Sequence, residues 1–149
     1  MNPIGPMMWE HRLIEKMLRL FDGEIRKISE SNRIDTVFID TAVDFIRVYA
    51  DRTHHGKEED ILFRDLAKKQ LSPEHARIMK ELVAEHKHSR ETVGRLVEAK
   101  ERYLRGEDTL REVMACLKEL AQFYPQHIKK EDKTFFYPCM NYFTKEEQD

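Results

Sequence analysis

The sequence is short of the residues that turn a chain. Of its 149 residues only five are glycine and five proline, about half the usual share. So few breakers cannot punctuate a β-sandwich or a series of strand–helix–strand units, which leaves a few long amphipathic helices. Long apolar runs are missing too: none approaches the ~18 residues of a membrane span. Residues 1–8 carry no basic segment ahead of an apolar one, so no secretory signal is expected. Cysteine occurs twice, at Cys116 and Cys139, and both fall in the last helical pattern. On one straight helix they would stand roughly 35 Å apart, far beyond disulfide reach, and a reducing cytoplasm is the expected location. Nor is there an excess of one charge. Twenty-six basic residues oppose 28 acidic ones, interspersed, for a net charge of −2. That argues against nucleic-acid and membrane partners, and nothing in the composition sets an oligomeric state.

What the chain does have is periodicity. Charged residues make up 36% and apolar ones 40%, and the apolar ones recur at helical spacing. Pro6 suits a first helical residue, followed by His11, Ile14, Leu18, Phe21, Ile25 and Ile28 on one stripe until the polar run 29–32. Asp35 can cap a second helix with Val43, Ile46, Ala50, His54, Glu58, Ile61 and Leu62 inward, fading near residues 68–70. Ser72, Pro73 and Glu74 supply hydroxyl cap, first-turn proline and dipole-matched acid for a third. Its stripe runs Met79, Leu82, His86, Val93, Leu96 and Tyr103 until Gly106 stops it. Asp108 then caps a fourth with Val113, Leu117, Leu120, Tyr124, His127, Glu131 and Phe135, which Pro125 should kink and Pro138 end or bend. Short connections turn neighbours back on one another, so the fold class is an all-α, antiparallel up-and-down four-helix bundle in a single domain over residues 1–149.

Each stripe is interrupted by one histidine: His11, His54, His86 and His127. Glu58 and Glu131 follow two of them by four residues, about 40° around the helix and roughly 6 Å along it. Counted from the turns, His11 and His54 are each about 19 residues from the first connection, as His86 and His127 are from the third. Equal distances put all four in one layer. The segment 54–63, His-His-Gly-Lys-Glu-Glu-Asp-Ile-Leu-Phe, also lines up with 127–136, His-Ile-Lys-Lys-Glu-Asp-Lys-Thr-Phe-Phe, and Glu10-His11 with Glu85-His86. Two helical hairpins would therefore face each other about a pseudo-twofold axis. A lone core histidine is usually structural. Six buried histidines and carboxylates in one layer are not, because desolvating them without a ligand costs many kcal/mol. The set is too large for one tetrahedral zinc. It suits two octahedral-leaning ions bridged by Glu58 and Glu131, with iron favoured by mixed nitrogen and oxygen ligation and manganese or zinc possible.

These motifs resemble the hemerythrin-like (HHE cation-binding) family over essentially the whole chain. The pieces are Glu-His on the first helix, His-His-x-Lys-Glu-Glu-x-x-Leu-Phe on the second, Glu-His-x-x-x-Arg on the third and His-Ile-x-Lys-Glu-Asp-x-x-Phe-Phe-Tyr-Pro on the fourth. The resemblance implies a hemerythrin-like bundle holding two non-haem irons, oxo- or hydroxo-bridged. His11, His54, His86 and His127 would be terminal ligands, and Glu58 and Glu131 bridges. Oxygen carriers of the family have a second histidine on the third helix, where this chain has Leu82 and Arg90, and that departure weakens the case for reversible oxygen storage. They also use a His-x4-Asp carboxylate, a spacing Asp132 fits, whereas the internal repeat favours Glu131. His55, about 100° around from His54, and Glu15, one turn after His11, are the secondary candidates. His75 and His88 read as surface residues.

The remaining aromatics, Trp9 among them, read as core or seam, with Tyr49 and Tyr124 close enough to ligand histidines to meet a bound oxygen species. Cys116 and Cys139 read as small buried hydrophobes. The resulting expectation is a di-iron protein that binds a diatomic or peroxide-level ligand (O2, NO or peroxide), or iron itself, for sensing, storage or protection. A peroxidase-like oxidoreductase or iron-delivery factor on the same scaffold is the alternative, and a metal-free helical interaction module the third. No nucleophile triad or phosphate loop marks an enzyme.

Overall fold

Four long helical runs carry the chain, and no strand occurs among the described residues. The structure, a computed structural model, describes residues 4–148, and of residues 51–54 and 148 only the backbone. The first run, α1, is Gly5–Ser31. It closes on Asn32 in the left-handed conformation, whose N–H donates to the Ile28 carbonyl. The second, α2, covers residues 36–67. Asp35 caps it by accepting from the Phe38 N–H at 3.1 Å. The third, α3, is Pro73–Leu104, capped by Ser72 accepting from the His75 N–H at 3.2 Å. Gly106, at φ 93°, turns the chain out of it. The fourth, α4, covers 110–140, and a single turn, α5, Lys145–Gln148, follows. Thr109 is the cap residue of α4, its hydroxyl donating to the Ala99 carbonyl at 2.7 Å. The expected cap, Asp108, only reaches the Leu110 N–H at 3.5 Å. Pro125 stands inside α4 without ending it, and Pro138 opens its last turn, Tyr137–Met140.

Neither α2 nor α4 is a regular α-helix throughout. In α2, Phe45–His55 and Glu58–Phe63 are π-helical, and in α4 Lys130–Phe136 is. Each wider turn bonds i to i+5 and advances the facing side chains differently from the 3.6-residue count. Ile61, read from spacing onto the inner stripe, is accordingly exposed, while Leu62 and Phe63 are buried. Trp9 also departs from its core reading, being 64% exposed.

Helix α4 packs chiefly against α1 and α3, and α2 lies against α1 and α3. The apolar interior is in two parts. One, built on Phe21, Ile28, Ile39, Leu96, Leu117 and Leu120, fills the end nearer the 32–35 and 105–109 turns. The other, around Met7, Leu66, Leu82, Phe135, Phe136 and Cys139, fills the opposite end. Between them lies a layer of buried histidines and carboxylates. Among the described residues, no helix is long and apolar enough to cross a membrane.

Candidate metal centre

The layer forms where each run changes from one apolar cluster to the other. On α1, His11 lies between Met7 and Ile14. On α3, His86 lies between Leu82 and Val93. On α4, His127 and Glu131 lie between Tyr124 and Phe135. On α2, His55 and Glu58 lie between Ala50 and Leu62. All six of these polar side chains are at most 1% exposed. Glu58, His86, His127 and Glu131 each offer one ligand atom, and these atoms lie within 4.8 Å of one another. His55, His86 and His127 form a second such group.

The carboxylates stand between histidines. Glu58 has one oxygen 3.7 Å from His11 Nε2 and the other 3.0 Å from His86 Nε2. Glu131 has one oxygen 3.8 Å from His11 Nε2, while the other contacts His127 Nε2 and lies 3.9 Å from His86 Nε2. Each carboxylate thus spans from His11 on one side to the α3 and α4 histidines on the other. His86 Nε2 and His127 Nε2 are 3.2 Å apart.

A second layer of carboxylates sets the rings. His11 Nδ1 meets Asp132 at 2.8 Å, His86 Nδ1 meets Glu59 at 3.0 Å, and His127 Nδ1 meets Glu85 at 3.4 Å. An ionised carboxylate only accepts, so each Nδ1 carries a proton and donates it. In the neutral ring the Nε2 lone pair then faces the centre. Each of these carboxylates is held by a cation in turn: Asp132 by Arg12, Glu59 by Arg90, and Glu85 by Lys130 at 2.8 Å. A fourth pair, Lys57 Nζ to the buried Glu10 at 3.2 Å, has the same spacing from Glu58 that Lys130 has from Glu131. Aromatic rings cover the imidazoles: Phe136 stacks on His11, Phe63 on His86 and Phe123 on His127. Glu59 and Phe63 of α2 thus both address His86, as Asp132 and Phe136 of α4 address His11.

Electrostatics follow from this crowding. Burial, and then the charge of Glu131, push the Glu58 carboxyl well above its usual range. Burial acts the same way on Glu131, but the facing His127 overcomes it and holds that carboxyl well below its usual range. Burial would lower His127; Glu131 and Glu85 outweigh it and raise the ring to about 9. A divalent ion beside these groups supplies positive charge to several of the donors at once. Imidazole nitrogens gathered around paired carboxylates in a dry apolar surround are a donor set that fits a cation.

The structure brings together five of the six residues expected as ligands: His11, Glu58, His86, His127 and Glu131. The sixth, His54, has a side chain outside the described residues. Of the two carboxylates weighed on α4, Glu131 enters the layer, whereas Asp132 turns back to His11 and Arg12. Glu15 pairs with Arg12 at the surface. His88 is exposed beside Glu119. His75 is half-buried, bonded at 2.7 Å to the Tyr142 hydroxyl. Tyr124 is buried with its hydroxyl 2.6 Å from Ser89, and Tyr49 stacks on Phe45. A helical count turns His55 about 100° away from position 54, yet its side chain is buried in the layer with Glu58. The roles of Glu59 and Glu85 had no signal beyond adjacency to a ligand, because contacts across helices depend on packing.

Together these features define a helical protein whose core is interrupted by a layer of side chains that could hold a metal ion. The chain belongs to the hemerythrin family: the hemerythrin HHE cation binding domain matches residues 2–138. Comparison with curated proteins and with solved structures gives no match.

Proposed function

We propose that the chain is a non-haem di-iron protein of hemerythrin type, with Glu58 and Glu131 bridging two ions and His11, His54, His86 and His127 as terminal ligands. The observation that carries this reading is the division of each buried carboxylate between His11 on one side and His86 or His127 on the other. A single ion would draw both oxygens of a carboxylate to one point; a pair makes use of the division. The four long runs are taken as an antiparallel up-and-down bundle in one domain, its hairpins related by a pseudo-twofold axis. The matching Glu59–His86 and Asp132–His11 contacts, and the Lys57–Glu10 and Lys130–Glu85 pairs, support that relation.

Two adjacent irons, when bound, supply two-electron chemistry and open positions for a small ligand. The protein's part is to hold and orient. Asp132, Glu59 and Glu85 fix the imidazole tautomers, and Phe136, Phe63 and Phe123 exclude water from the rings. The role that fits is capture of a diatomic or peroxide-level ligand, or of iron itself, for sensing, storage or protection, in the cytoplasm. Iron analysis of anaerobically loaded protein, with absorption spectra before and after air, tests it. Close to two irons per chain and new near-ultraviolet charge-transfer bands are expected. A chain that takes up no iron, or changes nothing in air, overturns the reading.

A further inference from the structure

We propose that the segment 141–148 is a pH-sensitive strap, closed on the connection between α2 and α3 by a Tyr142–His75 hydrogen bond and released when His75 is protonated. Tyr142 is its anchor. The phenol oxygen accepts from the Ser72 N–H at 2.9 Å and lies 2.7 Å from His75 Nδ1, with the two rings edge to face. Lys69 adds a second tie: its Nζ meets Glu147 at 2.6 Å and lies 5.5 Å from the centre of the Phe143 ring. Thr144 and Glu147 cap α5 reciprocally, each accepting from the other's N–H, so the strap is an ordered piece held as a unit.

The inventory of hydrogens fixes the sense of the anchoring bond. A backbone N–H only donates, so the phenol oxygen accepts from Ser72 and keeps its own hydrogen to give. His75 Nδ1 is the other hydrogen-bond partner of the hydroxyl among the described residues. Nδ1 therefore accepts, and the ring is neutral with its hydrogen on Nε2. A protonated imidazole carries hydrogens on both nitrogens. Its Nδ1–H would face a hydroxyl that already takes one N–H and has lost the acceptor for its own hydrogen. The helix acts in the same direction. His75 lies in the first turn of α3, its N–H bonded to the Ser72 cap at 3.2 Å, so added positive charge sits at the positive end of the helix dipole.

The charged groups on the elements that meet there are Glu74 on α3, Lys68 and Lys69 on the connection, and Lys145, Glu146 and Glu147 on the strap. Glu147 is taken by Lys69, and Glu74 and Glu146 are exposed, where solvent and salt screen them. Imidazole changes charge between about pH 5 and 8. The bond is present at the upper end of that range and lost as the pH falls through it. Release lifts Tyr142 and Phe143 off the apolar cluster around Leu66 and Cys139 and frees the N–H of the Ser72 cap.

Hydrogen exchange of the full chain, read by mass spectrometry at about pH 7.5 and about pH 5.5 and corrected for the intrinsic rate, tests this. Peptides from the middle of α3 report any global unfolding. In the parent, protection of the strap is expected to fall roughly tenfold at the lower pH, about the worth of one hydrogen bond. His75→Asn offers an amide oxygen near the place of Nδ1, an acceptor that does not titrate, and is expected to keep the strap protected at both values. Tyr142→Phe lacks the hydroxyl and is expected to be weakly protected at both, which keeps the test decisive if His75→Asn fails to fold. Parent protection that does not change with pH overturns the proposal. So does a fall of the same size in either variant.

Discussion

Among single residues, the carboxylates behind the histidines carry a distinct prediction. Glu85 holds His127 Nδ1 and is itself held by Lys130. The bonds from His127 and Lys130 keep its carboxyl below the usual range even though burial acts to raise it. Glu85→Gln keeps the shape but no longer offers a carboxylate to the ring, so metal affinity should fall roughly 10- to 100-fold with the fold intact. Chelator competition measures this, and circular dichroism checks the helices. A second prediction concerns Cys139, fully buried in the apolar cluster beside Phe135 and Phe136. Burial pushes its thiol up to about 12, and the thiolate is the reactive form. At pH 8 the native chain should therefore resist iodoacetamide at Cys139, and the unfolded chain should be labelled; mass spectrometry distinguishes the two.

At the level of helices, the connections were legible because capping chemistry is local. Ser72 with Pro73, Asp35 and Gly106 each act where spacing and residue type place them. Thr109 occupies the cap position read onto Asp108, and its hydroxyl bonds the Ala99 carbonyl across the turn and not an N–H of α4, a contact made only after folding. The π-helical stretches were not legible. They differ from α-helix only in hydrogen-bond offset, which leaves no mark in residue type. Ile61 is therefore exposed where a 3.6-residue count turns it inward, while Glu58 and Glu131 are buried as the count expects. Gly106 gives the prediction proper to this scale. At φ 93° an L side chain is strained, so Gly106→Ala should cost about 1–2 kcal/mol in denaturant melts. It lies at the far end of α3 from His86, and metal content should not change.

Over the whole molecule, the polar layer divides the apolar interior in two, and the residues that would bind metal come from all four long runs. Metal should therefore act as a fastening between helices as well as a cofactor. Ligand binding to the folded state alone adds about 2.7 kcal/mol at a hundred times Kd. For a chain of this size that corresponds to roughly 5–10 °C in Tm. Stripping iron with a chelator should lower Tm by about that amount, and restoring iron should reverse it. The existence of the layer was readable from the histidines interrupting each stripe. Its orientation was not, since tautomers are set by Asp132, Glu59 and Glu85 from neighbouring helices.

The central claim is that Glu58 and Glu131 lie between two ions. Anomalous diffraction at the iron edge from crystals of the loaded protein tests it most directly. Two peaks a few ångströms apart are expected, one toward His11 and one toward His86 and His127, with both carboxylates between them. A single peak, or peaks away from these carboxylates, would contradict it.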